Sequence, residues 1–367
     1  MKGTNHRLKY FACMNGGDGP YSYTKNSIYQ RQITNTSKAR ISKAVAEKLD
    51  IKHPSFTNSK LCIADLGCSV GPNTFIAIQN IVEAVMLKYQ SEGRLSSKIP
   101  EFQVFFNDLI SNDFNKLFAS LPVDSQYFAA GVPGSFQNRL FPKASLHLVH
   151  SSSSLHWLSK VPKEVLDKDS PAWNKGKIYY ESSPKEVVEA YSSQFAKDIE
   201  SFLLARAEEL VPGGLMILIL LGSHPNGVPY SRTFFGVVLD LLASSLMDMA
   251  KMGLVNEAKV DSFNVAAYNP SFLELEGLLT RSECFSIEGM ELVNVDLLTG
   301  DVEPSAQMTA MHMRAATEVL IKEHFGSDII DELFDRFTVK IAQDTLFLNV
   351  GHKYLLQLFV ILKRITD

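Results

Sequence analysis

Cysteine is scarce in this chain: its 367 residues include four, Cys13, Cys62, Cys68 and Cys284. No two of them form a CxxC pair, which excludes a disulfide framework and a zinc ribbon and fits a reducing cytosol. Tryptophan is scarcer still, two residues against 23 phenylalanines. There is no basic surplus, because 36 Lys and Arg stand against 40 Asp and Glu for a net charge of −4. A dedicated nucleic-acid binder needs the opposite balance. Long apolar runs are also missing. The strongest, Leu215 to Leu221, falls far short of the roughly 20 residues that span a bilayer. The opening stretch MKGTNHRLKYFACM lacks the apolar segment of a secretory signal. These absences predict a cytoplasmic protein with no nucleic-acid or membrane partner.

What remains is ordinary globular material, 46% hydrophobic and 21% charged. Short apolar runs at Leu61–Leu66, Phe102–Phe106, Leu146–Val149, Leu215–Leu221 and Leu355–Leu362 read as buried strands. Between them lie helical patterns: one from Ser37, a plausible N-cap, to Leu49, one from Pro72 through Met86, and one from Glu186 to Leu210, stopped by Pro212-Gly213-Gly214. Strands alternating with helices predict an α/β fold, a mostly parallel sheet with helices on both faces. Residues 1–30, 223–280 and 295–345 break the alternation and read as a helical cap. The core then spans about 35–222 and 346–367 with parts of 280–300, and the whole of 1–367 forms one unit. A separate helical domain is the competing division.

The central motif is Asp65-Leu66-Gly67-Cys68-Ser69-Val70-Gly71-Pro72-Asn73, where a strand runs through a glycine turn into a helix. Ligands of open α/β sheets bind beyond such strand ends. An NAD site needs G-x-G-x-x-G with an acid about 20 residues on, and a P-loop needs GK[ST]; neither is present. Gly67-Cys68-Ser69-Val70-Gly71 also matches the G-x-S-x-G elbow of a serine hydrolase, with Ser69 as nucleophile. The third reading is S-adenosylmethionine (SAM). Asp65 and Gly67 supply the turn that the amino-acid tail needs, and Asp108, ending the next strand, supplies an acceptor for the ribose hydroxyls.

Further segments decide among these. Ser22-Tyr23-Thr24-Lys25-Asn26-Ser27, Asn107-Asp108-Leu109, Pro133-Gly134-Ser135-Phe136, Leu155-His156-Trp157-Leu158-Ser159, Asn174-Lys175-Gly176 and Asp261-Ser262-Phe263-Asn264 follow in order. With Met14-Asn15-Gly16-Gly17 ahead of them, they resemble the plant SABATH family of SAM-dependent methyltransferases from Met14 to about Lys363. That family methylates carboxylates of small metabolites and, in one branch, nitrogens of purines. The resemblance implies a Rossmann-like class I methyltransferase core with a helical cap. It also implies a homodimer.

By the same resemblance Tyr23, Ser27, Cys68, Asn73, Asp108, Leu109, Ser135, Phe136 and Ser152 line the cofactor site. Gln30 and Trp157 hold the substrate, His156 stands beside them, and Tyr23, Ser153 and Met311 complete the substrate pocket. Asn174, Asp261, Phe263 and Asn264 match positions described with a Mg2+ ion in some members. One position departs: the family usually reads HSxYSxHW, and here Ser153 replaces the tyrosine of the pocket wall.

The chemistry suits these residues. A carboxylic acid with a pKa of about 4 is already the nucleophilic anion at neutral pH and needs no general base. Neutral donors such as an amide and an indole N–H orient it without stabilising its charge too strongly. No His–Asp pair is legible in the sequence. Two other acceptors stay open, a purine-type nitrogen in place of the carboxylate and, remotely, an ester for Ser69.

Overall fold

The computed structural model describes residues 13–57, 59–93, 99–223, 234–296, 305–344 and 354–365. Residues 1–12, on which the reading of the leading segment rests, lie outside them.

Seven strands form one sheet in the order β3-β2-β1-β4-β5-β7-β6. They are β1 (Lys60–Leu66), β2 (Glu101–Asp108), β3 (Phe128–Pro133), β4 (Leu146–Ser152), β5 (Leu210–Leu221), β6 (Phe285–Asp296) and β7 (Tyr354–Arg364). Strands β1 to β5 pair in parallel, and β7 runs antiparallel between β5 and β6. The order reverses between β1 and β4, so their carboxyl ends form the crevice where such sheets bind ligands. Strands buried on both faces explain the continuous apolar runs: six of the seven residues of β1 are buried.

Helix α1 (Tyr23–Asn26) leads directly into α2 (Ile28–Lys48), which begins nine residues before the expected Ser37 start. The polar run at 28–36 hides this because only Tyr29, Ile33 and Thr34 are buried in it, before Ser37, Ile41, Ala44 and Val45 continue the buried face. Ser37 is thus a buried mid-helix residue, not a cap. Helix α3 (Pro72–Ser91) starts on Pro72, as read, after the turn glycine Gly71. Between β2 and β3 lies the short α4 (Phe114–Ala119).

Helix α5 (Lys185–Glu209) buries Val187, Tyr191, Phe195, Ile199, Phe202 and Arg206 along one stripe. It ends at Glu209, and the Pro212-Gly213-Gly214 segment lies inside β5, which begins at Leu210. The glycines serve a register shift instead: Leu146 pairs with Leu210 while Leu148 pairs with Leu215. Gly213 adopts φ +76°, which accommodates the extra residues.

Strands β3 and β6 were not legible as strands. The sequence of β3, Phe-Ala-Ala-Gly-Val-Pro, is a weak edge strand with little buried surface.

The remaining helices are α6 (Phe234–Lys251), α7 (Glu257–Asp261), α8 (Phe272–Thr280), α9 (Ala306–Phe325) and α10 (Ile330–Gln343). They fall within the stretches that break the alternation. Among the described residues no helix is long and apolar enough to cross a membrane.

Candidate active site

A cavity opens at the carboxyl ends of β1, β2 and β4, with residues of α2, α3, α6 and α9 on its walls. Its floor is the glycine turn. Gly67 adopts φ +78°, and a Cβ there would lie 2.4 Å from the Cβ of Ser154. No side chain fits against Ser154, so the turn requires glycine, and Gly67 presents bare backbone to the cavity it lines. Ser69, also at positive φ, aims its backbone N–H at Asp108 Oδ2 over 2.6 Å. The Leu109 N–H donates to Asp108 Oδ1 over 2.7 Å. Burial still wins over these two bonds and raises the Asp108 carboxyl to about 6. A fixed, half-buried carboxylate beside the glycine turn fits a ligand that brings hydroxyl donors.

Around this floor stand Tyr23, Asp65, Cys68, Asn73, Leu109, Ser135, Phe136 and Ser152, all on the cavity wall. Burial pushes the Cys68 thiol up, so it acts as an apolar surface. Asn73 has its amide committed: Oδ1 accepts from Arg31 Nε at 2.6 Å, and Nδ2 donates to Ser27 Oγ at 2.9 Å. Ser27 is not on the wall. It ties α2 to the start of α3 behind Asn73.

The loop carrying Ser135 and Phe136 is held from below. Arg206 and Glu209, both fully buried, pair at 2.7 Å. The guanidinium donates to the carbonyls of Phe136 (2.6 Å) and Asn138 (2.9 Å), while Glu209 accepts the N–H groups of Leu140 and Phe141. Nothing in the sequence pattern pointed to this brace.

Gln30, Ser153, His156 and Trp157 line the other half of the cavity. A strap at 266–268 fixes the last two: Leu158 N–H donates to Ala266 O, and Tyr268 N–H donates to His156 O, both at 2.8 Å. Burial drops His156 to about 3, so its ring stays neutral. Gln30 Oε1, Ser153 Oγ and His156 Nδ1 are buried atoms without protein partners. Ser153 holds φ +54°, a strained conformation for a residue with a side chain.

Met311 is not on the wall. His312, Met313, Ala316, Thr317 and Leu320 are, because at about 100° per residue they share the face of α9 that Met311 turns away from. His312 is likewise neutral, lowered by burial to about 4. Cys13 and Met14 close the cavity from the amino-terminal side. Among the described residues no Lys or Arg lines the cavity.

The structure also makes a His–Asp pair that the sequence did not reveal. His150 Nδ1 meets Asp65 Oδ1 at 2.7 Å. The two are register partners on β4 and β1, 85 positions apart in the chain.

Ser69 is no hydrolase nucleophile. Its Oγ contacts no base, and its N–H is spent on Asp108.

Asn174, Asp261 and Asn264 do converge, but away from the cavity and as a hydrogen-bonded brace. Asn174 Nδ2 donates to Asn264 Oδ1 at 2.7 Å, Ser183 Oγ donates to Asn174 Oδ1 at 2.7 Å, and Gly176 N–H donates to Asp261 Oδ1 at 2.9 Å. Both amide oxygens a cation would need are taken by N–H and O–H donors, and Phe263 packs against His324 and Phe325 instead. Among the described residues no cluster of three His, Cys, Asp or Glu side chains offers a metal site. The donor set does not fit Mg2+.

The profile of the SAM-dependent carboxyl methyltransferases matches residues 9–365. The chain belongs to this family. Loganic acid O-methyltransferase of Catharanthus roseus is 47% identical over 355 residues, covering 96% of this chain and 94% of that one. Farnesoic acid carboxyl-O-methyltransferase of Arabidopsis thaliana is 42% identical, covering 96% and 98%. A solved structure, loganic acid methyltransferase with SAH, superposes with a TM-score of 0.91 at 46% identity, covering 96% and 99%. The chain is thus a SAM-dependent carboxyl O-methyltransferase with the SABATH fold.

Proposed function

We propose that this methyltransferase esterifies the carboxylate of a small, largely apolar plant metabolite, held by Gln30 and Trp157 with His156 beside them. The observation that carries this reading is the charge of the cavity wall. Among the described residues its acids, Asp65 and Asp108, lie at the cofactor end, no Lys or Arg is on it, and burial keeps His156 and His312 neutral. Among the described residues the anionic substrate therefore meets no protein cation, and the counter-charge we assign to it is the cofactor's sulfonium.

When bound, SAM supplies a methyl group already activated on sulfur. Asp108 accepts the ribose hydroxyls, and Ser135 and Phe136 flank the adenine. The Gln30 amide and the Trp157 indole N–H hold one carboxylate oxygen and leave the other aimed at the methyl. The carboxylate forms the new C–O bond as the S–C bond breaks, and no proton moves. Its charge disappears in that step, so neutral donors lose less than an arginine would. Buried walls strip water from the anion, which raises its reactivity. His156, neutral at working pH, adds a polar contact without charge.

The reading retains two expectations from the sequence, a homodimer and a cytoplasmic location. Light scattering and a fluorescent fusion read them.

The test is a methyl-transfer assay on a panel of carboxylic acids and xanthines, with products identified by mass spectrometry. Loganic and farnesoic acids, named for the two relatives, head the panel. Ester formation is expected, and Trp157→Ala should cut kcat/KM at least about tenfold for the loss of one hydrogen bond to a charged group, with SAM affinity nearly unchanged. Methylation of xanthine nitrogen alone would overturn the carboxyl acceptor. An equal loss of SAM binding in Trp157→Ala would make the tryptophan structural.

A further inference from the structure

The mechanism leaves the His150–Asp65 pair without a task. His150 is 2% exposed and Asp65 3% exposed. Each oxygen of the Asp65 carboxylate already has a donor: Oδ1 faces His150 Nδ1 at 2.7 Å, and Oδ2 accepts the hydroxyl of Thr74, from the first turn of α3. In the tautomer that gives Nδ1–H to the Asp65 carboxylate, Nε2 is a bare lone pair. That atom is buried, has no partner in the protein, and belongs to a residue on the cavity wall. A buried acceptor left unmade is costly, so the site waits for a donor.

The charge of the pair narrows the choice of donor. The Asp65 carboxylate lies directly behind the ring, and among the described residues no lysine or arginine lines the cavity to neutralise it. A substrate carboxylate has no hydrogen to donate and would be repelled. The sulfonium is positive but carries no hydrogen either. The ribose hydroxyls are neutral and have Asp108. One group of the cofactor combines positive charge with N–H donors, the α-ammonium of its amino-acid tail. Asp65 and His150 sit at adjoining strand ends, one residue before the turn through Leu66 to Gly67, where that tail must pass.

We infer that His150 Nε2 holds the α-ammonium of SAM, with Asp65 and Thr74 fixing the ring and supplying the charge behind it. Asp65 then serves the cofactor through His150. The inference rests on the cofactor reading of the cavity and is independent of which acid is methylated.

Calorimetry with two product-side ligands tests it: S-adenosylhomocysteine, and the analogue in which hydrogen replaces its α-amino group. Wild-type protein should bind the amino form about 10- to 100-fold more tightly, the range of one or two charge-assisted hydrogen bonds. His150→Phe should bind both ligands with affinities within about twofold, because the group that tells them apart is gone. Asp65→Asn, which keeps the ring but removes the charge, should lose most of the preference as well. Full preference retained in either variant overturns the inference, as does a wild-type protein that binds both ligands equally. Asp108→Ala separates this from the cofactor reading. It should weaken both ligands alike, and unchanged binding there would reject the cofactor site itself. If His150→Phe fails to fold, Asp65→Asn carries the same comparison.

Discussion

The two halves of the cavity are built on opposite principles. At the strand ends, acceptors are held rigid by the backbone: Asp108 takes two N–H groups, and Asp65 takes a ring nitrogen and a hydroxyl. Across from them, Gln30 Oε1, Ser153 Oγ and His156 Nδ1 have no protein partner. The first half is charged and preorganised, as binding of one invariant ligand requires. The second is neutral and unpartnered, so the ligand must satisfy it. We therefore assign specificity for the acceptor to these few side chains, among them Ser153, which stands where the family resemblance expects a tyrosine.

This contrast can be broken by removing what makes the first half rigid. Arg206→Met leaves Glu209 charged and buried without its partner and frees the loop at Phe136. A loss of about 3–5 kcal/mol in stability is expected for such a broken buried pair. Urea unfolding reads it, and SAM affinity should fall with it because the adenine loop is loosened. A variant as stable as the wild type would show that the brace does not support the cofactor half.

A milder probe uses pH. The free enzyme holds Asp108 at about 6, raised by burial, while the ribose hydroxyls need the ionised form. Bound cofactor pulls that carboxyl down, so affinity is full above pH 6 and falls as pH drops through 6, by about tenfold per unit. Calorimetry from pH 5 to 8 measures this. Asp108→Asn should bind weakly at every pH and show no such slope. His156, already neutral down to about 3, should add no ionisation in this range.

The smallest expected effect concerns the brace at Asn174, Asp261 and Asn264. Its oxygens are satisfied by protein donors, so dialysis against a chelator should leave methyl transfer unchanged. Activity lost on chelation and restored by Mg2+ would show that those oxygens give up their hydrogen bonds to a cation.

The sequence was enough for the parallel sheet, the glycine turn and the acid at the end of β2. Each of these is a local demand: a strand buried on both faces must be apolar, a turn against Ser154 must lack a Cβ, and the acid must follow its strand. It was not enough for α2 before Ser37, because three buried residues, Tyr29, Ile33 and Thr34, in a polar run leave little periodic signal. The PGG segment misled for a related reason, since those residues stop helices and also make bulges. Met311 was one helical step out of phase with the wall, and only the packing of α9 fixed that phase.

The chain by itself determined the family, the cofactor and the kind of chemistry, since these depend on residues adjacent along short motifs. The fold alone decided what depends on segments brought together from afar: His150 on Asp65, Arg206 beneath Phe136, and the 266–268 strap behind Trp157. Partners such as these meet across strand register and helix packing, and that registration is set by burial of the whole core, not by any local stretch of residues.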